Sequence, residues 1–159
     1  MITLLETTVI AAPIERCFDL ALSIDLEQSV SRRIRAVGGR TAGIIQLGER
    51  VSWELREFGL RISHTSEIDA MTRPTYFRDS MVRGKFASYQ HDHFFDRKDG
   101  DTVMRDVMKF AAPYGALGRL AEFAVLRAHL RYFLRKRNEV IKRVAESGEW
   151  NMFLPPGTE

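Results

Sequence analysis

The chain has 159 residues, of which 45% are hydrophobic and 28% charged, and its formal net charge is +3. This length fits one domain, the composition excludes an intrinsically disordered chain, and no apolar run approaches the roughly 20 residues that span a bilayer, so we expect no stable membrane insertion. The single cysteine, Cys17, excludes an internal disulfide and favours a reducing compartment, so we expect a cytoplasmic protein.

The first thirty or so residues predict one strand and two short helices. Residues 2–11 alternate and are rich in β-branched side chains, which predicts a strand. Pro13 suits the first turn of a helix, and apolar residues follow it at helical spacing. A second short helix is predicted to begin near Asp25, which we take as its N-cap.

The middle of the chain predicts an antiparallel meander. From about Ile34 the apolar period changes to two, glycine-rich turns recur at hairpin intervals, and Pro113 ends the pattern. Apolar residues then recur at helical spacing from Leu117 to Ala145, which predicts a helix of about thirty residues that needs a sheet to cover it. The predicted strands span about 34–42, 49–57, 60–72, 75–84, 86–97 and 101–111.

We expect residues 1–146 to form one domain and residues 147–159 to form a tail, from which Trp150, Met152 and Phe153 could pack back. Basic side chains gather on the C-terminal helix, where they predict a solvated face. The exposed aromatics and glycine-rich loops that accompany nucleic-acid binding are missing, so we expect no nucleic-acid partner, and a homodimer is left open. The basic residues are Arg119, Arg127, Arg131, Arg135, Lys136, Arg137, Lys142 and Arg143.

This order of elements is that of the helix-grip fold, an α+β fold in which a seven-stranded curved antiparallel sheet, with two short helices after its first strand, surrounds a long C-terminal helix. The chain resembles the SRPBCC superfamily of START-like, Bet v 1-like and polyketide cyclase-like proteins, and within it a bacterial ligand-binding branch. The resemblance implies a hydrophobic cavity between sheet and helix for a small lipid-like, polyketide-like or aromatic molecule. The stretches that carry it are Gly43–Trp53, Pro74–Met81, His91–Phe95, Met104–Asp106 and Pro113–Gly118.

The residues that face this cavity can be predicted because side chains on a strand alternate between its two faces. Following the large apolar residues gives a concave face that is apolar around a polar centre. The predicted rows are Val51, Trp53 and Leu55; Ile62, His64, Ser66 and Ile68; Phe77, Asp79 and Met81; His91, His93 and Phe95; and Met104, Asp106, Met108 and Phe110. The expected ligand contacts are Trp53, His64, Phe77, Met81, His91, His93, Phe95, Met104 and Phe110.

The pair His91 and His93 has three interpretations. Two histidines at i and i+2 face the same way and could chelate Zn²⁺ with His64 or an aspartate, but structural zinc sites usually add cysteines or a second pair, so we expect no metal and no cofactor. A buried network in which Asp79 and Asp106 accept hydrogen bonds from the two imidazoles is favoured, because buried polar groups need partners. The third interpretation is a ligand-facing role.

If that role is catalytic, the candidates for acid–base work are His91, His93, Asp79 and Asp106, as in a cyclase or dehydratase. Covalent catalysis is not expected, because Cys17 has no evident base partner and the motif Gly-x-Ser-x-Gly is absent. We favour a binding protein over an enzyme. The remaining hypothesis is an interaction domain with a filled core.

Overall fold

The computed structural model describes residues 1–57, 59–111 and 120–155, and the predicted order of elements is confirmed in it. The predicted end of the sheet at Pro113 and the predicted start of the C-terminal helix at Leu117 lie outside the described residues. The elements are β1 (Ile2–Ile10), α1 (Ile14–Ala21), α2 (Ile24–Val30), β2 (Ile34–Gly39), β3 (Arg50–Glu57), β4 (Leu60–Thr72), β5 (Tyr76–Arg83), β6 (Ser88–Lys98), β7 (Asp101–Ala111), α3 (Leu120–Glu146) and a 3₁₀ helix (Gly148–Met152).

The seven strands form one antiparallel sheet in the order β1-β7-β6-β5-β4-β3-β2. Its longest strand, β4, carries register shifts after Thr65 and after Ile68, and such bulges bend a strand and increase its twist. The ladder pairs Trp53 with His64, and Asp106 with His93. The five predicted rows therefore share one face of the sheet.

The start of α2 differs from the prediction. Ser23, not Asp25, is the N-cap, and its hydroxyl accepts a hydrogen bond from the Leu26 backbone N–H at 3.3 Å. The carboxylate of Asp25 instead accepts from the Gly43 N–H at 2.7 Å, which ties the helix to the segment between β2 and β3. Serine and aspartate both make good N-caps, so local sequence alone does not choose between them.

The described residues form two apolar clusters inside the sheet. The larger one joins α1, α2 and the last turns of α3 to the inner face of β3–β7, and its centre is Phe18, whose ring packs edge-on against Phe77 (5.5 Å) and Phe95 (5.4 Å). The smaller cluster lies towards the other end of β1 and β7, and α3 contributes to both. Its buried members are Ile2, Leu4, Met108, Phe110 and Leu134.

The two halves of α3 differ in burial. Towards its C-terminal end the inner face is buried, whereas Ala124 and Ala128, which the helical spacing placed inward, are exposed. The prediction was also wrong for Arg137, which was assigned to the solvated basic face but is buried: its Nε donates to Glu27 at 2.7 Å and its Nη2 to the Ala21 carbonyl at 2.9 Å. None of the described helices is long and apolar enough to cross a membrane.

The segment after α3 packs back onto the larger cluster. Trp150 and Phe153 are half-buried against it, as expected, and Leu154 is buried. The guanidinium of Arg16 lies over the Trp150 ring at 4.3 Å. Met152 was expected to pack as well but is 79% exposed, because the 3₁₀ helix turns its side chain outward.

Candidate functional site

A layer of polar side chains crosses the interior between the two apolar clusters. On the inner face of β7, for example, Asp106 lies between Met104 and Met108, each of which belongs to a different cluster. Equivalent polar positions on β5 and β6 continue the layer, and α3 closes it from the opposite side. The polar layer consists of Asp79, His91, His93, Asp106 and Asn138.

Asp106 is the centre of the polar layer, and its side chain is fully buried. Its Oδ1 accepts a hydrogen bond from His91 Nε2 at 3.0 Å, and its Oδ2 accepts one from Asn138 Nδ2 at 2.6 Å. Burial alone would raise the pKa of Asp106, but the contacts from His91 and His93 outweigh it and hold that pKa well below the usual range. Since an ionised carboxylate only accepts hydrogen bonds, His91 carries a hydrogen on Nε2.

His93 lies between two carboxylates. Its Nε2 donates to Asp79 Oδ2 at 3.2 Å, and its Nδ1 lies 2.8 Å from Asp106 Oδ1 as an ion pair without a well-directed hydrogen bond. Burial lowers the pKa of this imidazole, but Asp106 and Asp79 outweigh that effect and raise it. The ring stacks on Phe77 with a centroid distance of 4.1 Å. The two carboxylates therefore favour protonation of His93.

The pKa of His91 shifts in the opposite direction, although the centre of its ring is only 3.8 Å from that of His93. Burial and the charge of His93 lower its pKa, and the hydrogen bond to Asp106 does not compensate. The neutral ring, protonated on Nε2, keeps a lone pair on Nδ1, and this atom lies 3.8 Å from Asp79 Oδ2. A nitrogen lone pair thus faces a carboxylate oxygen.

Asp79 is the acidic member of the polar layer with access to its surroundings: its side chain is 19% exposed, against 4% for His91 and 1% for His93. Burial would raise the pKa of this carboxyl, but the hydrogen bond from His93 and the nearby charges lower it. Asp79 is therefore an ionised group at the open end of the layer.

The predicted ligand contacts divide into two groups. Trp53, His64 and Met81 are half-buried and keep part of their surface open, and the His64 ring packs edge-on against Tyr89 at 5.2 Å. His64 is also outside the group of close metal-binding atoms formed by Asp79, His91 and His93. The others are buried within the two apolar clusters or the polar layer: Phe77, His91, His93, Phe95, Met104 and Phe110.

Two residues of the site were missed by the sequence analysis, and both lie on α3. Asn138 joins the polar layer, and its neighbour Arg137 forms the buried ion pair with Glu27. The available signal was spacing, because Asn138 follows Leu134 by four residues and precedes Ile141 by three, so a polar side chain interrupts the apolar stripe of the helix.

Cys17 lies in an apolar part of the interior. It is fully buried in the larger cluster, and its Sγ lies 3.8 Å from the Ala12 carbonyl oxygen. Burial raises the pKa of its thiol to about 11, so the nucleophilic thiolate is scarce near neutral pH.

No family model and no curated protein matches the chain. Solved structures do match over most of its length. A protein of Thermus thermophilus superposes with a TM-score of 0.69 at 15% identity over 91% of this chain and 99% of its own. The major latex-like protein 151 of Panax ginseng does so with a TM-score of 0.66 at 15% identity over 91% and 97%. Ara h 8.0201 gives 0.64 at 14% identity over 88% and 97%.

Proposed function

We propose that this chain, which has the helix-grip, Bet v 1-like fold that its sequence predicted, binds a small apolar molecule between its sheet and α3. The observation that carries the proposal is the incomplete burial of apolar side chains on the inner face of β3, β4 and β5. Trp53, Leu55, Ile62 and Met81 are all half-buried there, although the same face is fully buried where α1 and α2 cover it.

The position of α3 supports the same conclusion. Among the described elements, α3 comes closest to β1, α1, α2 and the 3₁₀ helix, and β1 lies at the edge of the sheet opposite β2 and β3. In the half of α3 nearer its start, Leu126 and Leu130 are half-buried and pack against the smaller cluster, as Phe86 and Tyr89 of the sheet side do. An apolar guest between these two surfaces would remove both from water, at about 25 cal/mol per Å² of apolar area.

The acid–base enzyme is the less favoured alternative. A general acid or base must reach the reacting atoms, yet His91 and His93 are buried and each contacts Asp106. The polar layer fits better as one wall of the site, with Asp79 as the group that a bound molecule would meet. The cytoplasmic location stays a prediction from the sequence, and a homodimer stays open.

The proposal can be tested by filling the inner space with a larger side chain. We expect Met81→Trp to abolish saturable binding of the neutral dye Nile red, measured by fluorescence titration, because the indole would occupy the space beside Trp53 and His64. Val82→Trp is the matched control: Val82 is the next residue of β5, points to the other face and is 47% exposed. Binding should be unchanged in that variant.

Equal dye binding by Met81→Trp and the wild type, with both proteins folded by circular dichroism, would contradict an interior site. Native mass spectrometry of the chain purified from its own host then identifies the class of guest. We expect one small apolar molecule per chain, released on collisional activation. A chain that carries nothing and binds no dye would favour the interaction domain with a filled core.

A further inference from the structure

We propose that Asp79, His91 and His93 bind one divalent transition-metal ion such as Zn²⁺. The proposal goes beyond the binding of an apolar molecule and does not depend on it. It also reverses the expectation from the sequence, which excluded a metal because cysteines and a second histidine pair are missing. In the folded sheet, Asp79 lies close enough to His91 and His93 to act as the third ligand.

Three potential ligand atoms converge on one point. They are Asp79 Oδ2, His91 Nδ1 and His93 Nε2; the first lies 3.8 Å from the second and 3.2 Å from the third, and all three lie within 4.8 Å of one another. Neighbouring ligands of a tetrahedral zinc ion with bonds of ~2.0–2.1 Å are ~3.3 Å apart. Small side-chain shifts would therefore give a coordination geometry that is ordinary for zinc.

The opposite side of both imidazoles is held by one carboxylate. Asp106 Oδ1 lies 3.0 Å from His91 Nε2 and 2.8 Å from His93 Nδ1, the two ring nitrogens that face away from the convergence point. Asn138 holds the other oxygen of Asp106. Metal-binding histidines commonly donate their second N–H to a carboxylate, which fixes the tautomer and the ring orientation.

The charge of the layer also fits a dication. Arg137 is paired with Glu27, and the carboxylates of the buried Asp106 and the half-buried Asp79 flank the two imidazoles. A divalent ion held by the two imidazoles would match these two carboxylates in charge. The metal would also engage the lone pair of His91 Nδ1, for which the described residues offer a carboxylate at 3.8 Å and no hydrogen bond.

Three protein ligands leave a further coordination position. Asp79 is the partly exposed ligand, so this position would open towards the half-buried side chains of Met81 and His64. Two histidines and one carboxylate suit Zn²⁺ or Fe²⁺, and three-ligand sites of this kind keep a place for water or for an oxygen of a bound molecule.

The first test is titration of the chelator-stripped full chain with Zn²⁺ in competition with a chromogenic chelator. We expect one ion per wild-type chain and an affinity at least about tenfold lower for Asp79→Asn, since even the loss of an outer-shell partner has that effect. His129→Gln is the matched control, because His129 lies on α3 outside the converging group. Equal zinc affinity of the Asp79→Asn variant and the wild type would overturn the proposal.

A second measurement uses only the wild-type chain, so it holds even if a variant fails to fold. Long-range ¹H–¹⁵N spectra distinguish the two nitrogens of each imidazole. On addition of Zn²⁺ we expect His91 to become metal-bound through Nδ1 and His93 through Nε2, with His129 unchanged. Coordination through the other nitrogen of either ring, or no change at His91 and His93, would contradict the site. Nile red binding by the metal-free chain tests the apolar site separately.

Discussion

At the scale of single residues, Asp106 determines how the interior polar groups are arranged. It contacts two imidazoles and one amide, each from a different position in the chain: His91 and His93 come from β6, and Asn138 comes from α3. A buried carboxylate without such partners would cost several kcal/mol. The interaction with Asn138 is the one link in this set between the sheet and the helix.

We therefore expect Asn138→Asp to lower the free energy of unfolding by about 3–5 kcal/mol at neutral pH, because it replaces the amide that donates to Asp106 with a second buried carboxylate. The change keeps the size and shape of the side chain, so packing is conserved. Urea unfolding followed by circular dichroism measures the loss. Asn151→Asp, at an exposed position of the 3₁₀ helix, is the control and should change stability by less than about 0.5 kcal/mol. A similarly small effect at Asn138 would show that the Asp106 contact contributes little.

The sequence predicted the sheet side of this site better than the helix side. Alternation along a strand has a period of two, so once His91 and Met104 are placed inward, His93 and Asp106 follow. The position of a helix face depends instead on how the helix lies against the sheet, and Arg137 could be assigned either to the apolar stripe or to the basic face. Only the folded structure, in which Glu27 of α2 approaches it, decides between them.

At the scale of elements, the connection between β2 and β3 depends on close backbone approach. Gly39 has a positive φ of 69°, and a Cβ at this position would lie 2.1 Å from the Arg50 carbonyl oxygen. The same oxygen accepts a hydrogen bond from the Arg40 N–H at 2.7 Å. The predicted strand 34–42 therefore ends at Gly39, where the chain turns too sharply for the ladder to continue.

Gly39→Ala should destabilise the chain by clearly more than Gly43→Ala. Both glycines have positive φ, so both substitutions carry the ~1–2 kcal/mol cost of an L-residue in the left-handed region. A Cβ at Gly43 meets nothing within 4 Å, whereas one at Gly39 displaces backbone. Thermal unfolding of the two variants measures the difference. Equal melting temperatures would mean that β2 shifts freely away from β3.

The elements predicted best are those with glycine or proline at both ends. The strand at 60–72 has the predicted ends because Gly59 precedes it and Arg73-Pro74 follows it. Where two residues only two positions apart offer the same signal, as Ser23 and Asp25 do, the choice depends on a distant partner, here the Gly43 N–H. Local chemistry therefore predicts that an element exists, and tertiary contacts set where it starts.

At the scale of the whole molecule, the unequal burial of α3 divides the domain into a firmly packed part and a looser part. Residues such as Ile141, Val144 and Ala145 are fully buried in the larger cluster, while Leu126 and Leu130 are half-buried. Local opening needs little free energy where few apolar contacts must be broken. The looser half is the one that faces the proposed apolar site.

Amide hydrogen exchange should show this division. After correction for intrinsic rates, we expect amides at 137–145 to exchange at least about tenfold more slowly than those at 124–131, because the first set opens only with the larger cluster. Mass spectrometry of peptic fragments or NMR measures both sets in one experiment. Binding of an apolar molecule in the interior should reduce the difference in exchange rate between the two sets of amides. Uniform protection along α3 would contradict a looser half.

The polar layer has a further consequence for how the strands find each other. A slip of one residue between β6 and β7 would turn the apolar side chains of one strand to solvent, so burial alone prevents it. A slip of two residues keeps every apolar side chain inward, and burial hardly distinguishes it from the native pairing. It would, however, set Met104 or Met108 opposite His93 in place of Asp106 and leave the carboxylate and the imidazole without each other. The charged residues inside this core therefore raise the free energy of a sheet misaligned by two residues, which apolar burial alone would not disfavour.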